Sequence, residues 1–391
     1  MTRALCARRR RGEGVIRVPN NCRLAALCAL LPLQALAAPV APPGVTVLID
    51  TSVADAVLQA ATSDAAHVPA LAAAALALPG VSAMIAKEQR YTPAATAAAF
   101  NAALIGLAQG GSGEPFAVAR VREHPEEVRT LLRALSEEHA QLAARLAERL
   151  NAFAPRGLNL HATLVVVLGS HQNGWLPDQK TPVFYIDAGF QSGDVDSLIA
   201  VAAHELFHAV QGAVQPDWDA ALAPSMNPSA EAREVHNVHA ALLNLVIEGM
   251  ADYVGDPQVL PGAGPGMQQA RREYARSLAR NRENFALFDT ILYRLGSDGT
   301  APLGELLKVG FGGSWDQSGY YVGYVMARAI DRYSDRERLR ALVALPPEEF
   351  VLDYLAVTEA HAHDPDLVHL CSASVAAVRA SAQALAGGPP R

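Results

Sequence analysis

Apolar residues recur every three or four positions along most of this chain, and that spacing predicts helices. In residues 124–155, Leu131, Leu132, Leu135, Leu142 and Leu146 fall on one helical stripe. Pro125 suits the first turn, and Glu126 and Glu127 favour its positive end, so one long helix is expected there. Residues 71–80 predict a helix stopped by Pro79-Gly80. Residues 45–61 read as a short strand entering a helix, with Asp50, Thr51 or Ser52 as its cap. The stretch 38–155 is thus mostly helical, either a separate domain or a helical layer on the next one.

The pattern changes at Leu158. Residues 158–170 and 181–189 are β-rich runs, and Asn173-Gly174 and Pro177-Asp178 supply turn signals between them. A helix capped by Asp194 or Asp196 follows, burying Leu198, Ile199, Val201 and Ala202. After a connection over 213–229 a second helix is expected over 230–254. Glycine and proline dominate 255–266. The remainder to about 385 reads as helical, interrupted by a glycine-rich loop at 309–321. No internal repeat is present. The expected fold class is α+β and mostly helical, with a small sheet. The expected divisions are 1–37, 38–155 and 156–391.

Composition changes the picture at the front of the chain. The 391 residues are 51% apolar, enough for a sizeable core. Seven arginines precede the apolar stretch 24–37, which ends in Ala35-Leu36-Ala37 before a proline-rich exit. That is the order of an export signal, and the stretch is too short to span a bilayer comfortably. A retained anchor is the alternative. Removal of residues 1–37 leaves 25 basic and 38 acidic residues, a net charge of −13 rather than −7. So acidic a chain, without a basic stripe, is unsuited to nucleic acid or anionic membranes. Three of its four cysteines lie before residue 38, and Cys371 alone would remain, so no intrachain disulfide is expected. The expected location is periplasmic or secreted, with no stable membrane span after cleavage.

Within this apolar background the run VAAHELFHAVQ, residues 201–211, places two imidazoles and a carboxylate mid-helix. Such groups need partners when buried. His204 and His208 are four apart, so both project from one helix face and can take two positions on one Zn2+. Glu205 is placed to hold a water at that ion as general base, the H-E-x-x-H arrangement. A catalytic zinc wants a third protein ligand. Gln211 and Val214 stand where the metzincin pattern needs glycine and histidine. Glu248 lies in the second helix among Leu245, Val246, Ile247 and Met250, where an unpaired charge would be costly. Asp252, four residues on, can accept the second N–H of a metal-held imidazole. His236 and His239 lie about 120° and 180° around a straight helix from Glu248, and read as surface or structural. The histidines of residues 359–366 read as solvated.

H-E-x-x-H followed by E-x-x-x-D on a later helix resembles the gluzincin metallopeptidases of the thermolysin-like clan. Residues 319–330 are similar to a tyrosine- and glycine-containing helix of bacterial gluzincin families described as zinc-dependent peptidases. The resemblance covers roughly 160–335. It implies a zincin-like catalytic domain, His204, His208 and Glu248 as zinc ligands, Glu205 as base and Asp252 as support. It further implies a tyrosine that stabilises the oxyanion, for which Tyr320, Tyr321 and Tyr324 are the candidates, and a peptide or protein substrate lying along the strand at 181–189. Two departures stand out. The interval between His208 and Glu248, 39 residues, exceeds that of compact gluzincins. The Gly-Met-Glu-Asn exopeptidase motif is absent, so aminopeptidase activity is not implied. The alternatives from other classes are a non-catalytic binding protein with a structural zinc and a zinc hydrolase of non-peptide amides.

Overall fold

The first strand finds its partner more than a hundred residues further along. The computed structural model describes residues 44–178, 181–216, 228–313 and 317–387. The expected leader at 1–37 and parts of the connections at 213–229 and 309–321 lie outside them. β1 (Val45–Asp50) runs parallel to β2 (Leu160–Val167), with Val45 opposite Leu160 and Asp50 opposite Val165. β2 also pairs in parallel with β4 (Val183–Asp187), and β3 (Gly174–Trp175) closes the other edge antiparallel to β4, giving the order β1-β2-β4-β3. Leu164 to Val167 of β2 are all buried, as a strand covered on both faces requires.

Seven helices lie between β1 and β2: α1 (Ser52–Ala61), α2 (Val68–Leu76), α3 (Pro79–Gln89), α4 (Ala97–Ala108), α5 (Val118–Glu123), α6 (Pro125–Glu137) and α7 (His139–Asn151). Pro79 opens α3 rather than stopping its predecessor, since its fixed φ suits a first turn. The single helix expected over 124–155 is broken at Glu138. The break lets α7 turn onto the sheet, where the His139 ring meets the Ile49 carbonyl at 2.9 Å. The described residues form one compact unit. The described part of 38–155 belongs to that unit and gives the sheet one of its strands.

After the sheet come α8 (Val195–Val214), α9 (Ala230–Val254), α10 (Pro265–Ala279), α11 (Asn281–Ser297), α12 (Leu303–Phe311), α13 (Ser318–Tyr333), α14 (Arg336–Leu342), α15 (Pro347–Ala360) and α16 (Ser372–Gly387). α8 packs on β2 and β4 with one side and on α9 with another, and α9 packs along α13. Asp194 is the cap that starts α8, accepting from the Asp196 and Ser197 amides at 3.1 and 3.2 Å. Its second oxygen accepts the Met267 amide at 3.0 Å in the first turn of α10. One buried carboxylate therefore fixes the starts of two helices that border the same cleft.

Candidate active site

α8 and α9 approach closely because Gly255 ends α9 against α8. A Cβ there would meet the His204 Cβ at 2.8 Å and the Ala200 carbonyl oxygen at 2.9 Å. This approach brings His204 and His208 of α8 together with Glu248 of α9. The two Nε2 atoms are 3.2 Å apart. One oxygen of Glu248 lies 3.6 Å from the first and 3.5 Å from the second. These three residues form a cluster able to hold a metal ion.

The far side of each ring is also engaged. His204 Nδ1 lies 2.9 Å from Asp252 Oδ1. His208 Nδ1 lies 3.0 Å from Gln211 Oε1. The amide of Gln211 donates to the Val246 and Ile247 carbonyls at 3.4 and 3.0 Å, so its oxygen can only accept. Each Nδ1–H therefore donates outward, and in the neutral rings each Nε2 is a bare lone pair turned inward. Two such lone pairs and a carboxylate repel one another unless a cation, proton or metal, sits between them. The electrostatics agree. Burial opposes charge on His204, but the Asp252 and Glu248 carboxylates outweigh it and hold its pKa well above the ordinary histidine value. Burial likewise opposes charge on Glu248, yet both imidazoles hold it far below the usual carboxylate range.

Gln211 is a residue that sequence reasoning met only as a mismatch to another motif. Its signal was present: a glutamine three residues beyond the second histidine shares that histidine's helix face. It is 2% exposed.

The cluster opens into a cleft of about 540 Å³. Glu205, Tyr320 and Tyr321 line this cleft together with the three clustered residues and Asp252. The Tyr320 ring stacks over His204 with centroids 6.3 Å apart. Burial, reinforced by the Glu248 and Asp252 carboxylates, raises the Tyr320 pKa far above the ordinary phenol value, so its O–H remains a donor. Tyr324 does not reach the cleft. It is 1% exposed, and its hydroxyl donates to Asp256 at 2.6 Å, fastening the turn after α9. Tyr320 and Tyr324 do share a face of α13. Depth along the helix, rather than face, separates their surroundings.

One further expectation changes. The strand at 181–189 was expected along the cleft with an edge free for substrate. β4 there has β2 on one side and β3 on the other. β3 is the edge strand, and Leu176 immediately after it lines the cleft. Of the two readings, surface or structural, His239 takes the second: it is wholly buried, with Nδ1 at 2.7 Å from Glu348, which also accepts from Ser381 at 2.6 Å. That network ties α9 to α15 and α16 and is separate from the cleft. His361 and His363 are exposed.

A family model described as "Putative zinc dependent peptidase (DUF5700)" matches residues 73–363. No curated protein and no solved structure matches this chain.

Proposed function

The chain belongs to the family described as "Putative zinc dependent peptidase (DUF5700)", and from that premise we propose that it is an exported metallopeptidase of zincin-like architecture that cuts peptide bonds in the α8–α9 cleft. The observation that carries this reading is the donor triangle. Tetrahedral zinc with bonds of about 2.0–2.1 Å keeps its donors roughly 3.3–3.4 Å apart. The edges of the His204, His208 and Glu248 triangle are 3.2, 3.5 and 3.6 Å. Three protein donors leave a fourth position for water or substrate.

Zinc held there supplies Lewis acidity, lowering the pKa of water and polarising a carbonyl. The remaining work falls to side chains. Glu205 takes a proton from the attacking water on its carboxylate and delivers it to the leaving amide nitrogen. The Tyr320 hydroxyl donates a hydrogen bond to the oxyanion as the carbonyl carbon becomes tetrahedral. Asp252 and Gln211 hold the imidazoles by their Nδ1–H groups, fixing which nitrogen faces the metal. Tyr321 shapes the cleft wall, and Tyr324 supports the site from behind through Asp256.

Metal content tests the reading directly. Purified without chelator, the wild-type chain should carry close to one zinc per molecule by mass spectrometry, and His208→Ala should carry almost none. Absence of zinc from the wild type even after reconstitution would refute the site. Gln211→Ala should leave the fold intact while weakening zinc affinity by roughly 10–100-fold, the usual cost of losing an outer partner of a ligating histidine. Competition titration against a chromogenic chelator measures it, and unchanged affinity would remove Gln211 from the support of His208.

A further inference from the structure

The charged side chains lining the cleft among the described residues are all acidic apart from the two histidines: Glu205, Glu248, Asp252 and Glu273. No lysine or arginine lines it. If the peptidase reading above holds, the two charges of zinc are matched by Glu248 and Asp252. Glu205 and Glu273 then leave the cleft negative even when loaded. A cleft of one sign walled by protein concentrates ligands of the other sign.

Glu273 is the one of these four with no place in the proposed chemistry. It stands on α10 and is exposed. It accepts a hydrogen bond from the Gln269 amide at 2.5 Å and forms no ion pair with the described residues. Its helix is firmly held. Asp194 fixes the first turn, and Arg271 donates to the carbonyls of Pro257, Leu260 and Gly262 at 2.6–2.8 Å. A carboxylate on so anchored a support keeps its position without ordering cost on binding. The cleft lining nearby in α8 and α10 is small, with Ser197, Ala200 and Ala270, so a long side chain has room. Burial raises the Tyr321 phenol, and both Asp252 and Glu273 add to that shift, which puts Glu273 within electrostatic reach of the same tyrosine as the metal-side carboxylate. Arg276 acts oppositely on Tyr321 but does not line the cleft.

We propose that Glu273 is a specificity-determining residue that receives a cationic group of the substrate peptide, a lysine or arginine side chain or a free α-amino group, so that the enzyme selects basic peptides.

The test separates this inference from the peptidase reading by measuring binding without turnover. The full chain carrying Glu205→Gln is loaded with zinc and titrated with fluorescent peptides. One has a blocked N-terminus and a single internal arginine, one is its glutamine counterpart, and one is the glutamine peptide with a free N-terminus. A charge-assisted hydrogen bond predicts a preference of about tenfold for a cationic peptide over the blocked neutral one. Adding Glu273→Gln should reduce the ratio to within about twofold, and Glu273→Arg should invert it, so that the blocked neutral peptide binds better than the cationic ones. A merely structural role for Glu273 would not invert the preference. Raising the ionic strength should shrink the ratio of the chain that keeps Glu273. The arginine and free-amine arms show which cation is read. Equal binding of all three peptides, or a preference that survives Glu273→Gln, overturns the inference. Hydrolysis of neutral peptides by the wild type in that case leaves the peptidase reading standing. Glu273-dependent binding alongside a wild type that hydrolyses nothing keeps the inference and removes the peptidase.

Discussion

Glu205→Gln should abolish peptide hydrolysis while leaving zinc in place. Glutamine keeps the size and a hydrogen-bonding oxygen of glutamate but cannot take a proton at neutral pH. Positioned acid–base groups contribute about 10²–10⁴ in rate, and here one carboxylate is asked both to take the proton from water and to return it to the leaving nitrogen. A loss at or above the upper end of that range, roughly 5 kcal/mol of transition-state stabilisation, is therefore expected in kcat/KM. Zinc content should stay near that of the wild type, because Glu205 is outside the His204, His208 and Glu248 cluster. The paired readout separates the rival classes. A binding protein with a structural zinc shows the same metal content and no hydrolysis in either form. A hydrolase of non-peptide amides shows the loss only on a panel of acyl amides. Hydrolysis within a few-fold of the wild type would end the assignment of Glu205 as base, whatever the metal does.

The parts of this site that were legible in the sequence are those fixed within one helix. His204 and His208, or Glu248 and Asp252, are four residues apart, and helix geometry places each pair before any tertiary contact forms. Their joining also followed, because a buried cluster of charge has few ways to be satisfied. Other relations between helices were not legible. Spacing along α13 put Tyr320 and Tyr324 together, yet only the packing of α13 decides that Tyr320 stacks on His204 and Tyr324 reaches Asp256. The pairing of β1 with β2 spans more than a hundred residues and has no local signature. Nor did local periodicity register the break at Glu138, since the leucine stripe continues through it on both sides. Nor could spacing choose between the surface and the structural reading of His239, which is buried and structural. Its partners Glu348 and Ser381 come from helices far along the chain.

Gly249→Ala should do the largest structural damage of any single methyl addition near the site. α9 and α13 cross at Gly249 and Gly323 with their backbones in contact. A Cβ on Gly249 would lie under 3.0 Å from the Cα and carbonyl carbon of Gly323 and 2.8 Å from the Tyr324 amide nitrogen. Every atom it meets is backbone, so no side chain can swing aside. The reciprocal change Gly323→Ala would drive a Cβ to 2.8 Å from the Gly249 Cα and closer still to the Leu245 carbonyl oxygen. Either change must push the helices apart. Overpacking of a tight core costs typically 1–3 kcal/mol, offset in part by the better helix propensity of alanine, about 1 kcal/mol. The consequence for function is larger than that sum suggests. Glu248 is the residue before Gly249, and Tyr320 lies less than one turn before Gly323, so separation of the helices moves a proposed zinc ligand and the proposed oxyanion donor together. A displacement near 1 Å in such groups can cost about a hundredfold in rate. Gly106→Ala in α4 is the control, since a Cβ there meets nothing within 4 Å. It should stabilise the chain slightly, by about 0.4–1 kcal/mol. Urea unfolding with parallel zinc titration should therefore show a lowered midpoint and weakened metal binding for Gly249→Ala, against an unchanged or raised midpoint and intact zinc for Gly106→Ala. A Gly249→Ala chain as stable as the wild type, with its zinc affinity intact, would mean that the α9–α13 crossing does not set the geometry of the cleft.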